Sequence, residues 1–174
     1  MLKKIIVLSL AIGFFASCTN APIDKKEVLI DSIKNLESQC FDDKTNSYNH
    51  KFALKTLNEY QVFIETYPND SLTPNYLYLS GQLSKSINLF GEAVRKFESL
   101  IKEYPEFEDN SKAQFLIGMI YENDLQDTLK AKAAYQEFIK QYPESELVDD
   151  AQFLIQNLSM SDQELIDFLK SKNQ

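Results

Sequence analysis

The stretch Tyr135-Gln-Glu-Phe138-Ile139-Lys-Gln-Tyr142-Pro143 decides the fold, because its pattern occurs twice more in the chain. The other copies are Tyr60-Gln-Val-Phe63-Ile64-Glu-Thr-Tyr67-Pro68 and Phe97-Glu-Ser-Leu100-Ile101-Lys-Glu-Tyr104-Pro105, and the prolines lie 37 and 38 residues apart. Each copy has apolar residues at i, i+3, i+4 and i+7, the stripe of an amphipathic helix. Because proline cannot continue a helix, each copy should end sharply at its Tyr-Pro pair.

A second helix should follow each Tyr-Pro pair, and two of these helices contain glycine at a matching position. Gly81 and Gly118 each lie 13 residues after a Tyr-Pro proline, and Gln156 occupies the same position in the third copy. Glycine costs about 1 kcal/mol inside a helix, so two glycines at one position indicate that another helix crosses closely there. The repeating unit is therefore predicted to be a pair of helices.

The order of glycine, alanine, aromatic and proline residues resembles the tetratricopeptide repeat. Ala93-Phe97-Leu100-Pro105 and Ala131-Tyr135-Phe138-Pro143 keep the spacings of that family, whereas the first copy has Thr56 in place of the alanine. The resemblance implies an all-α fold, a right-handed α-solenoid of about three to four helix pairs. Its longer period and Tyr-Pro ends look most similar to the BamD family of β-barrel assembly lipoproteins and the YbgF family of Tol–Pal coordinators.

The segments on either side of this array are also predicted to be helical. Residues 24–40 carry a narrow apolar stripe, and this helix should pair with a helix over residues 51–66 after a polar loop. At the other end, Ser161-Asp162-Gln163-Glu164 is a capping box before an apolar run. A C-terminal capping helix should therefore cover the open end of the stack, as solenoids require.

The first residues of the chain have the layout of an export signal, with Lys3 and Lys4 before an apolar run. The run ends in Phe15-Ala16-Ser17-Cys18, which resembles the lipobox of bacterial lipoproteins and implies acyl chains on Cys18. The predicted organisation is a signal peptide over 1–17, a lipidated linker over 18–23 and a solenoid domain over 24–174. An ordinary signal peptide with an incidental cysteine is the alternative.

The charge of the chain limits its partners. Removal of the signal takes away two lysines and leaves 16 basic and 26 acidic side chains, a net charge of −10. Such a surface repels nucleic acid phosphates and anionic lipid headgroups. We therefore expect no nucleic acid partner, and we expect membrane attachment through the acyl chains on Cys18 only.

No residue pattern predicts a catalytic site, a metal site or a cofactor. The single histidine, His50, is one ligand where a metal site needs three or four. Acidic clusters at 106–109 and 149–150 follow Tyr-Pro pairs, where they complement the positive end of a helix dipole. Cys40 is expected to be a buried, inert thiol. The protein is therefore not expected to be an enzyme.

These features together favour an adaptor protein. The hypothesis is a lipid-anchored, periplasm-facing protein of the bacterial outer membrane that binds a protein partner, as in outer-membrane protein assembly. A coordinator of the Tol–Pal system in cell division is one alternative. A peptidoglycan- or cation-binding envelope module is the other, and it would need carboxylates that converge on one pocket.

The partner-binding groove is predicted on the first helix of each pair, as the resemblance implies. One register places an aromatic residue three positions before Gly81, Gly118 and Gln156, and polar or flexible side chains lie one turn away. The alternative for any of these aromatic residues is that it fills the core between helices. The predicted groove residues are Tyr78, Gln82, Lys85, Lys112, Phe115, Met119, Asp150, Phe153 and Asn157.

Overall fold

A computed structural model describes residues 24–42, 44–158 and 170. Within these residues the chain forms a succession of helices, and each helix packs against the next one along the chain. The prediction of an all-α helical repeat is confirmed. The helices are α1 (Lys25–Glu37), α2 (His50–Thr66), α3 (Thr73–Ser86), α4 (Phe90–Glu103), α5 (Asn110–Met119), α6 (Thr128–Gln141) and α7 (Val148–Asn157).

The helices form pairs, which we describe as an A helix followed by a B helix. The A helices are α1, α3, α5 and α7, and the B helices are α2, α4 and α6. Three clusters of buried apolar side chains run along the array, one around α1 to α3, one around α3 to α5, and one around α5 to α7. The core is therefore continuous and shared between neighbours, which is how a solenoid is stabilised.

The B helices end where the Tyr-Pro pairs predict. The last residues of α2, α4 and α6 directly precede the three tyrosines. The N–H groups of Tyr67, Tyr104 and Tyr142 close the last helical turn with hydrogen bonds of 2.8 to 2.9 Å. In two of the turns that follow, a buried polar side chain donates a hydrogen bond to the tyrosine carbonyl. The donors are the Thr73 hydroxyl, at 2.6 Å, and the Asn110 amide, at 2.7 Å. These two turns are therefore held in a fixed geometry.

The glycine position that recurs in two of the repeats marks a close approach of the paired helices. A Cβ atom on Gly81 would lie 2.5 Å from the ring of Phe97, and one on Gly118 would overlap the ring of Tyr135. Ala93 and Ala131 of the facing B helices are fully buried. The prediction that helices cross closely at these glycines is confirmed.

A π-helical turn extends α5 over Ile120–Asp124, and we call it the π-turn segment. Its final hydrogen bond runs from the Leu125 N–H to the Ile120 carbonyl at 2.9 Å, a spacing of five residues. Gly81 precedes Ala93 by 12 residues, whereas Gly118 precedes Ala131 by 13. The π-turn segment takes up this additional residue, so the facing alanines remain equivalent.

The N-terminal pair differs from the prediction in two details. Helix α1 ends at Glu37 and not at Cys40, and an antiparallel hairpin of β1 (Phe41–Asp42) and β2 (Ser47–Tyr48) occupies the predicted loop. Cys40 is buried as expected, with its Sγ atom 3.1 Å from the hydroxyl of Thr56. The Thr56 hydroxyl donates to the Phe52 carbonyl at 3.0 Å, which explains how threonine is accommodated at the alanine position.

The signal peptide over 1–17, Cys18 with its linker, and the C-terminal capping helix are predictions that lie outside the described residues. No helix in the described part of the chain is both long enough and apolar enough to cross a membrane.

Candidate protein-binding site

Three of the predicted groove residues meet where α3 faces the start of α5. The ring of Tyr78 is half-buried, and its hydroxyl end is surrounded by polar groups. Burial and the Asp109 carboxylate raise the pKa of Tyr78, while Lys112 and a hydrogen bond with Gln82 act in the opposite direction. Lys112 itself pairs with Asp109 at 2.6 Å. This group of side chains, Tyr78, Gln82, Asp109 and Lys112, is the candidate site.

The buried side of Tyr78 belongs to the core. Its ring centroid lies 5.8 Å from that of Phe97 and 6.1 Å from that of Phe107. Tyrosine combines an apolar ring with a polar tip, so it can support a protein interface while remaining fixed by its neighbours. Tyr78 therefore has both properties that the sequence left as alternatives.

Lys85 lies one turn further along α3 and connects it to the next repeat. Its ammonium group is 3.3 Å from the Asp124 carboxylate in the π-turn segment. Both side chains are partly exposed, at 35% and 19%. The Asp124 oxygen that faces Lys85 is itself buried, so the ion pair fixes Lys85 against the π-turn segment and does not present a free carboxylate to a partner.

Phe115 lies in the core between α5 and α6. It is only 9% exposed, and its ring packs 5.5 Å from Tyr135 and 5.4 Å from Phe138. The half-buried Met119 belongs to the same cluster. For Phe115 this placement corrects the prediction of an open groove surface, because the aromatic pair of α6 covers the position.

The α7 positions form a separate set at the end of the described array. Helix α7 packs through the fully buried Ala151. Asp150 is exposed in the first turn of α7, and Phe153 and Asn157 are half-buried. Their role in binding a partner remains a prediction.

Two carboxylates that the sequence did not single out also occupy the A helices. The Tyr60 hydroxyl donates to Glu37 at 2.6 Å, and the Tyr135 hydroxyl donates to Glu122 at 2.6 Å. Glu122 lies four residues after Gly118, as Lys85 lies four residues after Gly81. Counting one further turn from Gly118, as from Gly81 to Lys85, would have identified Glu122 from the sequence.

The other polar groups considered for metal binding or catalysis are the histidine and the acidic clusters. His50 is exposed at the first position of α2, and no group of three metal-ligating side chains occurs in residues 24–42 and 44–158. Asp149 and Asp150 lie in the first turn of α7, and Asp109 directly precedes α5. These positions fit the dipole explanation for the acidic clusters.

The family model described as Tetratricopeptide repeat matches residues 112–145. The similarity to this family is therefore shown for 34 of the 174 residues. The matched segment contains most of α5, the π-turn segment, all of α6 and the following Tyr-Pro turn. The α3–α4 pair has the same glycine–aromatic contact and the same Tyr-Pro ending, so its structure repeats that of the matched segment, and the match supports a tetratricopeptide-type helical repeat. A comparison with curated proteins finds no match.

Proposed function

We propose that the protein is a lipid-anchored adaptor on the periplasmic side of the bacterial outer membrane, where it binds a protein partner through its A helices. The observation that carries the proposal is the group formed by Tyr78, Gln82, Asp109 and Lys112, which places a fixed aromatic ring beside accessible polar side chains. Interfaces concentrate their binding energy in such aromatic anchors. Tetratricopeptide repeats generally mediate protein–protein interactions, in agreement with this use of the surface.

The sequence around Cys18 supports this location. The lipobox-like sequence Phe15-Ala16-Ser17-Cys18 predicts acylation, and more than one acyl chain is needed for stable attachment. The acidic surface would not bind anionic headgroups by itself. The Tyr-Pro ends and the long period of the repeats, which resemble those of β-barrel assembly lipoproteins, favour a role in outer-membrane protein assembly.

Photo-crosslinking in cells tests the binding surface. A photoreactive amino acid at Gln82, which is exposed on α3, should form a discrete crosslink to a partner. The same group at Lys132, exposed on the B helix α6, is the control and should not form it. Lys112→Glu should weaken the Gln82 crosslink at least about fivefold, and Lys132→Glu should leave it unchanged. Equal crosslinking from both positions would contradict the A-helix assignment.

Fractionation tests the anchor independently. The wild-type chain should enter the detergent phase with the outer membrane, and Cys18→Ser should move to the aqueous phase. If both chains partition in the same way, the lipoprotein proposal is wrong, whatever the crosslinking result.

A further inference from the structure

A second cleft lies between the B helices α2 and α4. Its volume is about 620 Å³. Leu57 of α2, Leu89 and Phe90 at the start of α4, and Leu125 after the π-turn segment supply apolar surface. Arg95 and Lys96 of α4 supply positive charge. We call this the B-helix cleft, and the A-helix residues of the proposed function do not line it.

The equivalent cleft between α4 and α6 is much smaller, at about 240 Å³. There Tyr121 lines the cleft, and the Lys130 ammonium group lies 5.3 Å from the centroid of its ring. The position that matches Tyr121 in the preceding repeat is Ser84, three residues after Gly81. Ser84 is fully buried and does not line the B-helix cleft, so this cleft has no counterpart of the Tyr121 ring and of its contact with a lysine.

The apolar side chains at the rim of the cleft are accessible. Leucine side chains are usually buried, but Leu89 is 37% exposed and Leu125 is 42% exposed. They belong to two successive A-to-B turns, so they present apolar surface from neighbouring repeats to one cleft. An apolar side chain of a partner would be desolvated between them.

The charge of the cleft is opposite to that of the chain. The lining contains Arg95 and Lys96 against the single carboxylate of Glu92, whereas the whole chain has a net charge of −8. Arg95 is also the only arginine in the sequence. Arginine binds carboxylates through two parallel hydrogen bonds, a geometry that lysine cannot supply.

The arrangement of these charges leaves Arg95 available. Glu92 pairs with both Arg95 and Lys96, and the Lys96 ammonium group lies 3.5 Å from it. Lys96 also donates to Gln61 of α2 and is 18% exposed, whereas the Arg95 side chain is 67% exposed. Arg95 can therefore exchange Glu92 for a carboxylate of a partner while Glu92 keeps Lys96. An exposed pair of this kind costs little to exchange.

We propose that the B-helix cleft binds a peptide segment of a partner protein in which an apolar side chain lies next to a carboxylate. The apolar side chain enters between Leu89 and Leu125, and the carboxylate pairs with Arg95. Because these residues are separate from the A-helix site, the cleft can be occupied while that site holds another partner.

Selection from a random library of 12-residue peptides on the full chain in detergent tests the proposal. We expect the selected peptides to combine leucine or phenylalanine with aspartate or glutamate. A synthetic copy of the most frequent peptide should bind at least about tenfold more weakly to Arg95→Glu and to Leu89→Asp, as expected when a central interface contact is lost. Its affinity should also fall at high salt, because exposed charges are screened.

Lys132→Glu is the matched control, because it makes the same charge change at an exposed position on α6. It should leave the affinity unchanged, and circular dichroism should confirm that all variants are folded. Selected peptides that are basic, that lack acidic residues, or that bind Arg95→Glu and Leu89→Asp as tightly as wild type would overturn the proposal. Competition by a synthetic peptide of residues 159–174 would instead identify the C-terminal segment as the occupant and would also overturn it.

Discussion

At the scale of single residues, the glycine positions predict where the helices cross, but they do not distinguish surface residues from core residues. They correctly predict the close crossing at Gly81 and Gly118, because glycine is unfavourable inside a helix and two at matching positions indicate that a neighbouring helix approaches closely. They do not distinguish surface from core for Phe115, since one turn of an A helix can face either a partner or its own B helix. The ring contacts with Tyr135 and Phe138 decide this, and they depend on how α5 packs.

Gly118→Ala should therefore destabilise the protein. A methyl group there would overlap the fully buried ring of Tyr135, and overpacking of this kind costs about 1 to 3 kcal/mol. Gly91→Ala is the matched control, because a Cβ atom at Gly91 has only Arg95 nearby, at 3.7 Å. That change should be neutral or stabilise by up to about 1 kcal/mol. Urea unfolding of both variants measures the difference, and equal midpoints would contradict the contact.

At the scale of elements, the Tyr-Pro pairs allowed the ends of α2, α4 and α6 to be predicted to the residue, because proline acts locally. The hairpin over 41–48 could not be predicted, since its two-residue strands contain no alternating pattern. The π-turn segment left only an indirect trace in the sequence, the period of 38 instead of 37. An added residue can enter a turn, a loop or a helix, and the structure shows that it enters the helix.

Deletion of Asn123 should convert the π-turn segment to a regular helix. The spacing between Gly118 and Ala131 would become 12, as between Gly81 and Ala93, so the B-helix contacts can be kept. Deletion of Ser86 is the matched control. Ser86 and Asn123 are both exposed, both lie five residues after a glycine, and both donate to a carbonyl four residues earlier.

The two deletions should differ in their effect on stability. Loss of Asn123 should lower the free energy of unfolding by less than about 1 kcal/mol, because the contacts that it removes are exposed. Loss of Ser86 should cost at least about 2 kcal/mol more, because it shortens the connection between α3 and α4 and shifts the buried Ile87 by one position. Thermal unfolding followed by circular dichroism tests this. An equal loss for both deletions would show that the π-turn segment is not an insertion into a regular repeat.

At the scale of the whole molecule, buried tyrosine hydroxyls make the stability of the array depend on pH. Tyrosines occur along the whole array, and burial raises the pKa of several, most strongly for the fully buried Tyr135 and the nearly buried Tyr60. Hydrogen bonds from these two hydroxyls to Glu122 and Glu37 raise the pKa further, because an ionised tyrosine could not donate them. The folded state therefore retains protons that the unfolded chain would lose.

Alkaline pH should consequently unfold the protein, and ionisation of these two tyrosines should cause a measurable part of the loss of stability. Unfolded tyrosine titrates near pH 10, so their stabilising contribution is complete below about pH 10 and is lost as the pH rises above it. Each tyrosine adds up to about 1.4 kcal/mol of lost stability per pH unit.

Urea unfolding at pH 8, 10 and 11 should show a steep decline of the free energy of unfolding for wild type and a shallower one for the Tyr60→Phe, Tyr135→Phe double variant. Tyr48→Phe, at a ring that is 43% exposed, should decline as wild type does. Parallel declines for wild type and the double variant would mean that other groups cause the alkaline loss.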